Sequence, residues 1–266
     1  MPEGHAIHRH ARRQRDLLAG RRLRVTSPQG RFAAGAARLD GRRLQTVDAR
    51  GKHLLYRWED AEALHVHLGL FGKFTVHRND PPPPTEGTRL AMSADGVTVY
   101  LAGPTICELL DPDAEDALLA RLGPDPLVHG RDSGPFAASL SRRRIPIGAA
   151  LLDQKVVSGI GNVYRAELLF LCGIHPARPA NGLRDEEIVA LWDRAVTELR
   201  AGARSGRIVT VVPAEVGARY RSEIPKGRRL YVYHRTAEPC RRCGMPVAVT
   251  EMANRSIWYC PGCQPD

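Results

Sequence analysis

The chain has 266 residues, 43% of them hydrophobic, and is therefore long enough to form two domains with buried cores. Its formal net charge of +10 favours a polyanionic partner, with nucleic acid as the first candidate; a solvated basic surface without a partner is the alternative. It has no run of 18 apolar residues and no apolar signal core at the N-terminus, so we expect no transmembrane helix and a cytoplasmic protein.

The N-terminus places a proline between the initiator methionine and a glutamate, as Met1-Pro2-Glu3. Removal of the methionine would leave Pro2 with a free α-amine, whose ordinary pKa near 8 lies about two units below that of lysine. The unprotonated amine is a nucleophile that can form an iminium with a sugar aldehyde carbon, and Glu3 is near enough to shuttle protons. On this dipeptide alone, an ordinary proline near a chain end is the simpler interpretation.

The first half of the chain has one amphipathic helix followed by short alternating runs that are typical of β-strands. The helix is predicted over Gly4–Leu18, with Gly20 as its C-terminal cap. Asp95-Gly96 predicts a hairpin turn between the last two strands. Residues 1–127 are therefore predicted to form a β-sandwich-like domain with a leading helix. The predicted strands are Arg22–Thr26, Arg43–Ala49, His53–Trp58, Ala63–His67, Gly72–His77, Arg89–Met92 and Val97–Leu101.

The pattern changes after a stretch rich in glycine and proline, and residues 128–135 are predicted as a linker. Three helices and one basic, irregular segment follow, at Pro146–Val157, Asn162–Leu171, Arg184–Arg200 and Arg204–Arg235. The third helix is the clearest, because its apolar residues recur at offsets of 0, 3, 4, 7, 8 and 11 from Ile188, and Gly202 is predicted to close it. These elements predict a second domain at 136–234 and a separate C-terminal segment at 235–266.

A glycine-rich turn, Ser158-Gly159-Ile160-Gly161, joins the first two of these helices. Its glycines allow a tight turn and a close approach of backbone to a ligand. Asn162 is predicted at the cap position of the next helix, whose N-terminal N–H groups favour a phosphate, and Lys155 lies just before the turn. An ordinary glycine-rich turn is the alternative that these residues leave open.

The last 30 residues carry two Cys-x-x-Cys pairs separated by 16 residues: Cys240, Cys243, Cys260 and Cys263. This spacing predicts one structural zinc ion that is held by four thiolates and has no open position for water. Disulfide bonds are the alternative, although a metal is favoured in a cytosolic protein. Cys107 and Cys172 have no such spacing and are predicted to be core residues.

The residues between the two cysteine pairs suit a β-hairpin of Val247–Thr250 against Ser256–Tyr259. Arg255 is predicted in the turn of this hairpin, with Arg241 and Arg242 at its base. A basic loop that a metal holds rigid suits contact with backbone phosphates. Solvated arginines without a partner fit the pattern equally well.

Taken together, these motifs resemble those of the formamidopyrimidine-DNA glycosylase/endonuclease VIII family of bifunctional DNA glycosylase/AP lyases. The matching residues are Pro2-Glu3-Gly4, Gly51-Lys52, His67-Leu68-Gly69, Arg121-Leu122-Gly123-Pro124-Asp125, Gly159-Ile160-Gly161-Asn162 and the four cysteines. No single motif is decisive; the resemblance depends on their occurrence together, in this order and nearly from end to end. It implies an α+β protein of two domains, the second with the family's helix-two-turn-helix fold and a zinc-finger hairpin.

The resemblance also implies roles for individual residues in base excision repair. Pro2 is the amine that attacks C1′ of the damaged nucleotide and forms a Schiff base, and Glu3 is the acid/base that protonates the opened sugar. Lys52 lies beside the scissile phosphate and assists β-elimination, while Arg255 binds phosphate and is linked to the δ step. Glu167 is implied to support the site. The remaining implied contacts are with DNA: Leu70, Phe71, Arg121, Lys155, Asn162 and Arg235.

Leu70 and Phe71 are apolar residues in a predicted loop, and they suit the task of filling the hole that an extruded base leaves. Ordinary core packing is the alternative. Gly4 follows Glu3, and Ala6 stands where the guanine-lesion branch of the family has a second glutamate, so the chain is more similar to the endonuclease VIII branch.

These departures favour oxidised pyrimidines as the substrate. Two alternatives stay open: a glycosylase for 8-oxoguanine or formamidopyrimidine lesions, and a damaged-DNA-binding protein without catalysis. The expected partner is damaged DNA, with no membrane, and the expected state is a monomer associated with the nucleoid in a bacterial cytoplasm.

Overall fold

The computed structural model describes residues 2–60 and 62–266, which form two compact units, Met1–Arg121 and Leu122–Asp266. The predicted removal of Met1 lies outside the described residues. The sequence predicts the end of the first domain at residue 127, slightly later than this division. The architecture is the predicted α+β arrangement, with sheets in the first unit and a mainly helical second unit that ends in a cysteine-bearing hairpin.

The first unit begins with the predicted amphipathic helix and continues mainly as strands. Helices α1–α3 span Gly4–Leu18, Ala33–Leu39 and Pro112–Ala120. Strands β1–β8 span Arg24–Thr26, Leu44–Arg50, His53–Trp58, Ala63–His67, Lys73–Arg78, Thr88–Ala94, Val97–Ala102 and Ile106–Leu110. The predicted helix and strands are confirmed, but α2, β8 and α3 were not predicted. In α2 the contact is local: Gly35 leaves room for the ring of Phe32, the residue that caps this helix.

The strands form two antiparallel four-stranded sheets, ordered β1-β6-β7-β5 and β2-β3-β4-β8. Alternate side chains of both sheets point into one core, because successive residues of a strand face opposite sides. The core is therefore that of the predicted sandwich, with α1 packed onto it. Its members include Ile7, Ala11, Leu18, Leu54, Tyr56, Leu64, Val66, Leu90, Met92, Val99 and Leu101.

The predicted hairpin turn at Asp95-Gly96 is confirmed. Both residues have positive φ angles, 45° and 73°, as a type I′ turn requires. The turn joins β6 to β7.

The second unit combines five helices among its described residues with one short hairpin. Helices α4–α8 span Pro126–His129, Gly134–Leu140, Ile147–Ala150, Asn162–Leu171 and Asp185–Ser205. Single 3-10 turns lie at Ala180–Gly182, Pro213–Val216, Arg221–Glu223 and Lys226–Arg228, and strands β9 and β10 span Ala248–Met252 and Arg255–Tyr259. The predicted linker at 128–135 spans the end of α4 and the start of α5.

Two predicted helix ends are wrong in this unit. The helix predicted over Pro146–Val157 stops at Ala150, because side chains take over the backbone hydrogen bonds. Asp153 Oδ1 accepts from the amide of Lys155 at 2.9 Å, and this turns the chain. Helix α8 continues past Gly202, which is buried within it, and ends at Gly206, whose φ of 74° forms a left-handed cap.

None of the described helices is both long enough and apolar enough to span a membrane.

Candidate functional site

Pro2 and Glu3 lie at the N-terminal end of α1. Pro2 is half-buried, whereas Glu3 is fully buried, with 0% of its surface exposed. Glu3 is the N-cap residue, and its carbonyl oxygen accepts from the amides of Ala6 at 2.9 Å and Ile7 at 3.3 Å. A carboxylate at this end of a helix is stabilised by the helix dipole. The first turn of α1 therefore holds an acid beside the N-terminal proline.

Lys52 lies in the tight turn between β2 and β3. Gly51, with a φ of 58°, makes this turn possible, and Lys52 is half-buried. Burial lowers the pKa of His53 to about 3, with further lowering by the charges of His65, His67 and Lys52. Burial and the charges of His65 and Lys52 also lower the pKa of His67. His53 and His67 are therefore neutral at pH 7, beside a cationic turn.

Leu70 and Phe71 form the tip of an apolar loop, residues 68–72, between β4 and β5. They are 56% and 84% exposed, so core packing does not account for them. The loop is tight: the amide of Gly72 donates to Leu68 O at 2.9 Å, and Gly69 has a φ of 65°. The two apolar side chains are thus held outwards by a compact backbone.

Asn162 and Arg255 are brought together in the second unit. Asn162 is the first residue of α7 rather than its cap, which is Gly161. Its Nδ2 donates to Ser256 O at 3.0 Å, next to Arg255. Arg255 is exposed and is the first residue of β10, not a turn residue as predicted; the turn is formed by Ala253 and Asn254, whose φ angles are 54° and 56°.

Arg165, which lies one turn further along α7, is a fully buried residue that the sequence analysis missed. Its guanidinium donates to Gly148 O at 3.2 Å, Met252 O at 3.3 Å and Ser256 O at 3.1 Å, and also to Asn162 Oδ1. It therefore ties the end of the finger hairpin to the N-terminus of α7. No motif indicates this role, because it depends on carbonyl groups nearly a hundred positions away in sequence.

Glu167 is a buried carboxylate that organises the segment around Tyr231. It accepts from the amides of Tyr231 at 2.8 Å, Val232 at 2.9 Å and Tyr233 at 2.9 Å, and also from the hydroxyl of Thr210. Since donors satisfy both oxygens, the charge is stabilised without an ion pair. Glu167 fixes the conformation of this basic segment.

The predicted DNA contact of Arg235 does not agree with its position. Arg235 is only 7% exposed, and each of its three guanidinium nitrogens donates to a protein oxygen. The acceptors are Glu238, Tyr231 O and Pro239 O. This guanidinium holds the chain together ahead of the finger and is not available to a phosphate.

The other two predicted cationic contacts are at the surface. Arg121 is exposed at the C-terminal end of α3, and Lys155 is exposed in the turn that precedes the glycine-rich segment. Neither position conflicts with a phosphate contact.

The four predicted zinc ligands converge. Their sulfur atoms all lie within 4.8 Å of one another, with Cys240 and Cys263 at 3.8 Å and Cys243 and Cys260 at 3.3 Å. Tetrahedral zinc with Zn–S bonds of about 2.3 Å needs sulfur atoms about 3.8 Å apart, so the residues fit the ion. The predicted hairpin lies between the pairs, and Cys240 and Cys260 are buried.

The two cysteines outside this cluster are both half-buried. Burial raises the pKa of Cys107 to about 12 and that of Cys172 to about 11. Both are therefore inert thiols at neutral pH.

Three known domain families match successive parts of the chain. They are the formamidopyrimidine-DNA glycosylase N-terminal domain over residues 1–105, the formamidopyrimidine-DNA glycosylase H2TH domain over residues 122–212, and the zinc finger found in FPG and IleRS over residues 237–265. The fold and its zinc site are those of a zinc-finger DNA glycosylase, with one structural zinc ion.

The chain is similar to whole proteins of the same kind. It is 41% identical to endonuclease 8 1 of Mycobacterium tuberculosis over 268 residues, which cover 99% of the chain and 100% of that relative. It is 36% identical to the formamidopyrimidine-DNA glycosylase of Thermus thermophilus, over 99% of this chain and 98% of that relative. The structure of Lactococcus lactis Fpg in complex with DNA that contains an abasic site matches with a TM-score of 0.81 at 26% identity, over 99% of this chain and 100% of that one. The chain belongs to the formamidopyrimidine-DNA glycosylase/endonuclease VIII family.

Proposed function

We propose that the protein is a bifunctional DNA glycosylase/AP lyase, which excises an oxidised base through a Schiff base at Pro2 and then nicks the strand. The observation that carries the proposal is the position of Pro2 beside the fully buried Glu3 at the start of α1. An N-terminal amine next to a carboxyl with restricted access to water provides a nucleophile and a proton carrier in adjacent positions. The similarity to an Fpg that was solved with abasic-site DNA supports the lyase step.

The proposed reaction begins when the Pro2 amine attacks C1′ of the damaged nucleotide and the base leaves. Glu3 protonates the opened sugar, and the resulting iminium acidifies the C2′ proton. Loss of that proton, assisted by Lys52, expels the 3′ phosphate by β-elimination. A second elimination expels the 5′ phosphate. A glycosylase that only activates water needs no amine and stops at the abasic site.

Binding of the DNA backbone is assigned to the cationic and polar groups at the surface of each unit. Arg255 and Asn162 are held together through Ser256 and are proposed to bind the same stretch of phosphate. Arg121 and Lys155 contribute further exposed positive charge. The sequence carries a net charge of +10, so binding is expected to weaken steeply with added salt.

Phe71→Ala is expected to lower excision of a base from duplex DNA about 10-fold or more while leaving the fold intact. The reason is that Phe71 is 84% exposed, so its ring contributes little to the core and is available to replace an extruded base in the stack. The measurement is single-turnover excision from a duplex and from single-stranded DNA with the same lesion. Phe74→Ala, which changes a half-buried phenylalanine of β5, is the control for a general loss of packing. Equal excision by Phe71→Ala and the parent protein would contradict the role of this loop.

Oxidised pyrimidines are the proposed substrate class. The relative called endonuclease 8 1 is 41% identical to this chain, compared with 36% for the formamidopyrimidine-DNA glycosylase of Thermus thermophilus. Gly4 and Ala6 also differ from the guanine-lesion branch. The second candidate is excision of 8-oxoguanine or formamidopyrimidine lesions, and the N-terminal domain match and the Thermus relative favour it.

The partner is proposed to be damaged DNA, bound by a single copy of the chain, because all the residues proposed for the reaction lie on one chain. The relatives named above are bacterial, which supports action on the chromosome in a bacterial cytoplasm.

Borohydride trapping on an abasic-site duplex tests the proposal most directly. Covalent capture is expected, because reduction of the iminium joins the protein to the sugar. Peptide mapping should place the adduct on Pro2, and a panel of lesions should show thymine glycol and dihydrouracil excised faster than 8-oxoguanine. A protein that binds damaged DNA but forms no adduct would be a non-catalytic binder. Faster excision of 8-oxoguanine would establish the second candidate.

Glu3→Gln is expected to lose base excision, since an amide keeps the size of the side chain but cannot transfer a proton. The loss should be about 100-fold or more, within the range that a positioned acid or base contributes. Release of thymine glycol from a duplex is the measurement. Glu238→Gln, an exposed carboxyl in the second unit, is the control. Release at the parental rate by Glu3→Gln would show that another group moves the proton.

A further inference from the structure

His67 is the last residue of β4, and its half-buried side chain contacts the apolar loop, residues 68–72, that follows it. The amide of Gly69 donates to Nδ1 of His67 at 3.2 Å. The backbone of His67 is fixed as well, because it pairs with Ile106 of β8 and its carbonyl oxygen accepts from the amide of Thr105 at 3.0 Å. His67 thus connects the end of a sheet with the base of the loop.

The hydrogen bond from Gly69 determines which nitrogen of His67 carries the proton. Burial above all, together with the charges of His65 and Lys52, lowers the pKa of His67, so the ring is neutral at pH 7. A neutral imidazole has one accepting nitrogen and one donating nitrogen. Because Nδ1 accepts from Gly69, Nε2 carries the proton. The contact with the loop therefore depends on one nitrogen of the ring, Nδ1.

The ring of His67 is held in place by its neighbours in the sheet. It packs against His53, its partner across β3 and β4, with the ring centroids 5.0 Å apart. His53 is fixed in turn, because its Nδ1 lies 2.8 Å from Nε2 of His65, whose Nδ1 lies 3.0 Å from Oε1 of Glu108. The acceptor for Gly69 is consequently carried by a side chain whose rotation is restricted.

The loop requires such an anchor because of its own composition. Gly69 and Gly72 flank the two apolar residues, and glycine has more backbone freedom than any other residue. Leu70 and Phe71 are exposed, and burial of their apolar surface against the protein would be favourable in water. A methyl group on Gly69 would come within 1.8 Å of Thr105 Oγ1, so the space beside this glycine is filled. Contacts at the base of the loop therefore keep the two apolar side chains directed outwards.

We propose that His67 is a positioning residue, which holds the loop of residues 68–72 in the conformation that enters DNA. The inference rests on the proposed function, in which Phe71 replaces an extruded base in the stack. Ordering a flexible loop during binding costs affinity, and an anchor that fixes the bound conformation beforehand removes that cost. Nδ1 of His67 acts through the backbone of the loop and does not touch the substrate.

The experiment uses the full-length, zinc-loaded protein and measures single-turnover excision of its preferred lesion from a duplex and from single-stranded DNA. His67→Leu removes the acceptor, and we expect it to slow excision from the duplex about 5-fold, the effect of one net hydrogen bond. Excision from the single strand should keep its parental rate, because no base has to be extruded from a duplex there. His77→Leu, which changes a half-buried histidine of the other sheet, is the matched control and should alter neither rate.

Two further substitutions separate this anchor from a role of the other ring nitrogen. Oδ1 of asparagine lies at about the position of Nδ1 of histidine and readily accepts from the amide two residues further on. His67→Asn should therefore keep the parental rate on the duplex. Glutamine places its polar group at about the distance of Nε2, so His67→Gln should show the same loss as His67→Leu.

The Phe71→Ala background shows whether His67 acts through the loop. Substitutions that affect the same contact are not additive. In this background His67→Leu should slow excision from the duplex by less than about 2-fold, because the ring that the anchor positions is already absent.

Parental excision from the duplex by His67→Leu would overturn the anchor. So would an equal loss on single-stranded DNA, restoration by glutamine but not by asparagine, or an undiminished loss in the Phe71→Ala background. If His67→Leu does not fold, as judged by circular dichroism, the contrast between His67→Asn and His67→Gln decides the question. Failure of the parent protein to excise any lesion or to form a trapped adduct would refute the proposed function itself, so the two failures are distinguishable.

Discussion

A form of the protein with an uncleaved peptide ahead of Pro2 is expected to form no borohydride-trapped adduct and to leave an abasic-site duplex intact. The extension converts the proline amine into a tertiary amide, whose lone pair is delocalised into the carbonyl group and is no longer nucleophilic. Both base excision and strand cleavage should fall to the uncatalysed background. Binding of the same duplex should persist, because the cationic surface residues are unchanged.

The matched control carries the same extension followed by a protease site that leaves Pro2 as the first residue. Activity should return after cleavage, and the adduct should map to Pro2. Trapping by the extended form would contradict the assignment. In that case peptide mapping would show whether Lys52, in its turn beside neutral histidines, is the nucleophile instead.

The local sequence pattern was sufficient to predict the first helix, one hairpin turn and the cluster of four cysteines. The stripe of apolar residues in Gly4–Leu18 predicted α1 with its observed bounds, since one face of a surface helix must be buried. Asp95-Gly96 predicted its hairpin because two consecutive positive φ angles suit this pair. The spacing of the four cysteines likewise predicted a site that depends only on covalent geometry and tetrahedral coordination.

Side-chain hydrogen bonds account for two of the errors, at Arg235 and in the helix predicted over Pro146–Val157. Arg235 has the positive charge that a phosphate contact requires. Its guanidinium, however, donates to oxygens of Glu238, Tyr231 and Pro239, which come together only in the folded chain. Asn162 was predicted as the helix cap, whereas the cap is Gly161 and Asn162 is the first helical residue. A difference of one position is within the usual uncertainty of helix ends. The helix predicted over Pro146–Val157 ends early, because the side chains of Asp153 and Gln154 accept hydrogen bonds from backbone amides.

The candidate site shows the same division. Pro2, Glu3 and Lys52 could be proposed from the sequence, because each belongs to a short motif of the family that the chain resembles. The hydrogen bonds from His53 to His65 and from His65 to Glu108 could not be predicted, because they cross three strands and depend on strand register. A change of one residue in that register would turn these side chains to the other face of the sheet.

Cys260→Ser is expected to release zinc and to destabilise the second unit as a whole, not only the finger. A structural zinc site contributes about 10–16 kcal/mol to the folding of finger peptides, and a serine hydroxyl is a poor replacement for a thiolate ligand. Cys260, Ile257 and Trp258 belong to the same core as Tyr164 and Leu199 of the helices. Loss of the finger therefore exposes apolar surface of the helical module.

Buried hydrogen bonds strengthen this coupling. Gln264 is fully buried; its Oε1 accepts from the amide of Cys260 at 2.9 Å, and its Nε2 donates to Ile174 O at 2.8 Å. Once the metal is lost, these groups lose their partners, which costs about 1–3 kcal/mol for each buried polar group. Zinc content, the thermal unfolding midpoint and affinity for an abasic-site duplex are the measurements. Cys172→Ser, which changes a half-buried cysteine outside the cluster, should retain zinc and DNA binding.

The Cys260→Ser variant also separates DNA binding from chemistry. Asn162 and Arg165 hold the carbonyl of Ser256, so an unfolded hairpin releases Arg255 from its position next to α7. Affinity for duplex DNA should therefore fall, whereas the Pro2 amine, in the other unit, is unaltered. Slow trapping on a high concentration of a short abasic oligonucleotide should persist, because that step needs the amine and an aldehyde. Retention of a full equivalent of zinc by this variant would contradict the four-thiolate site, and complete loss of trapping at all DNA concentrations would show that the finger is required for the chemistry as well as for binding.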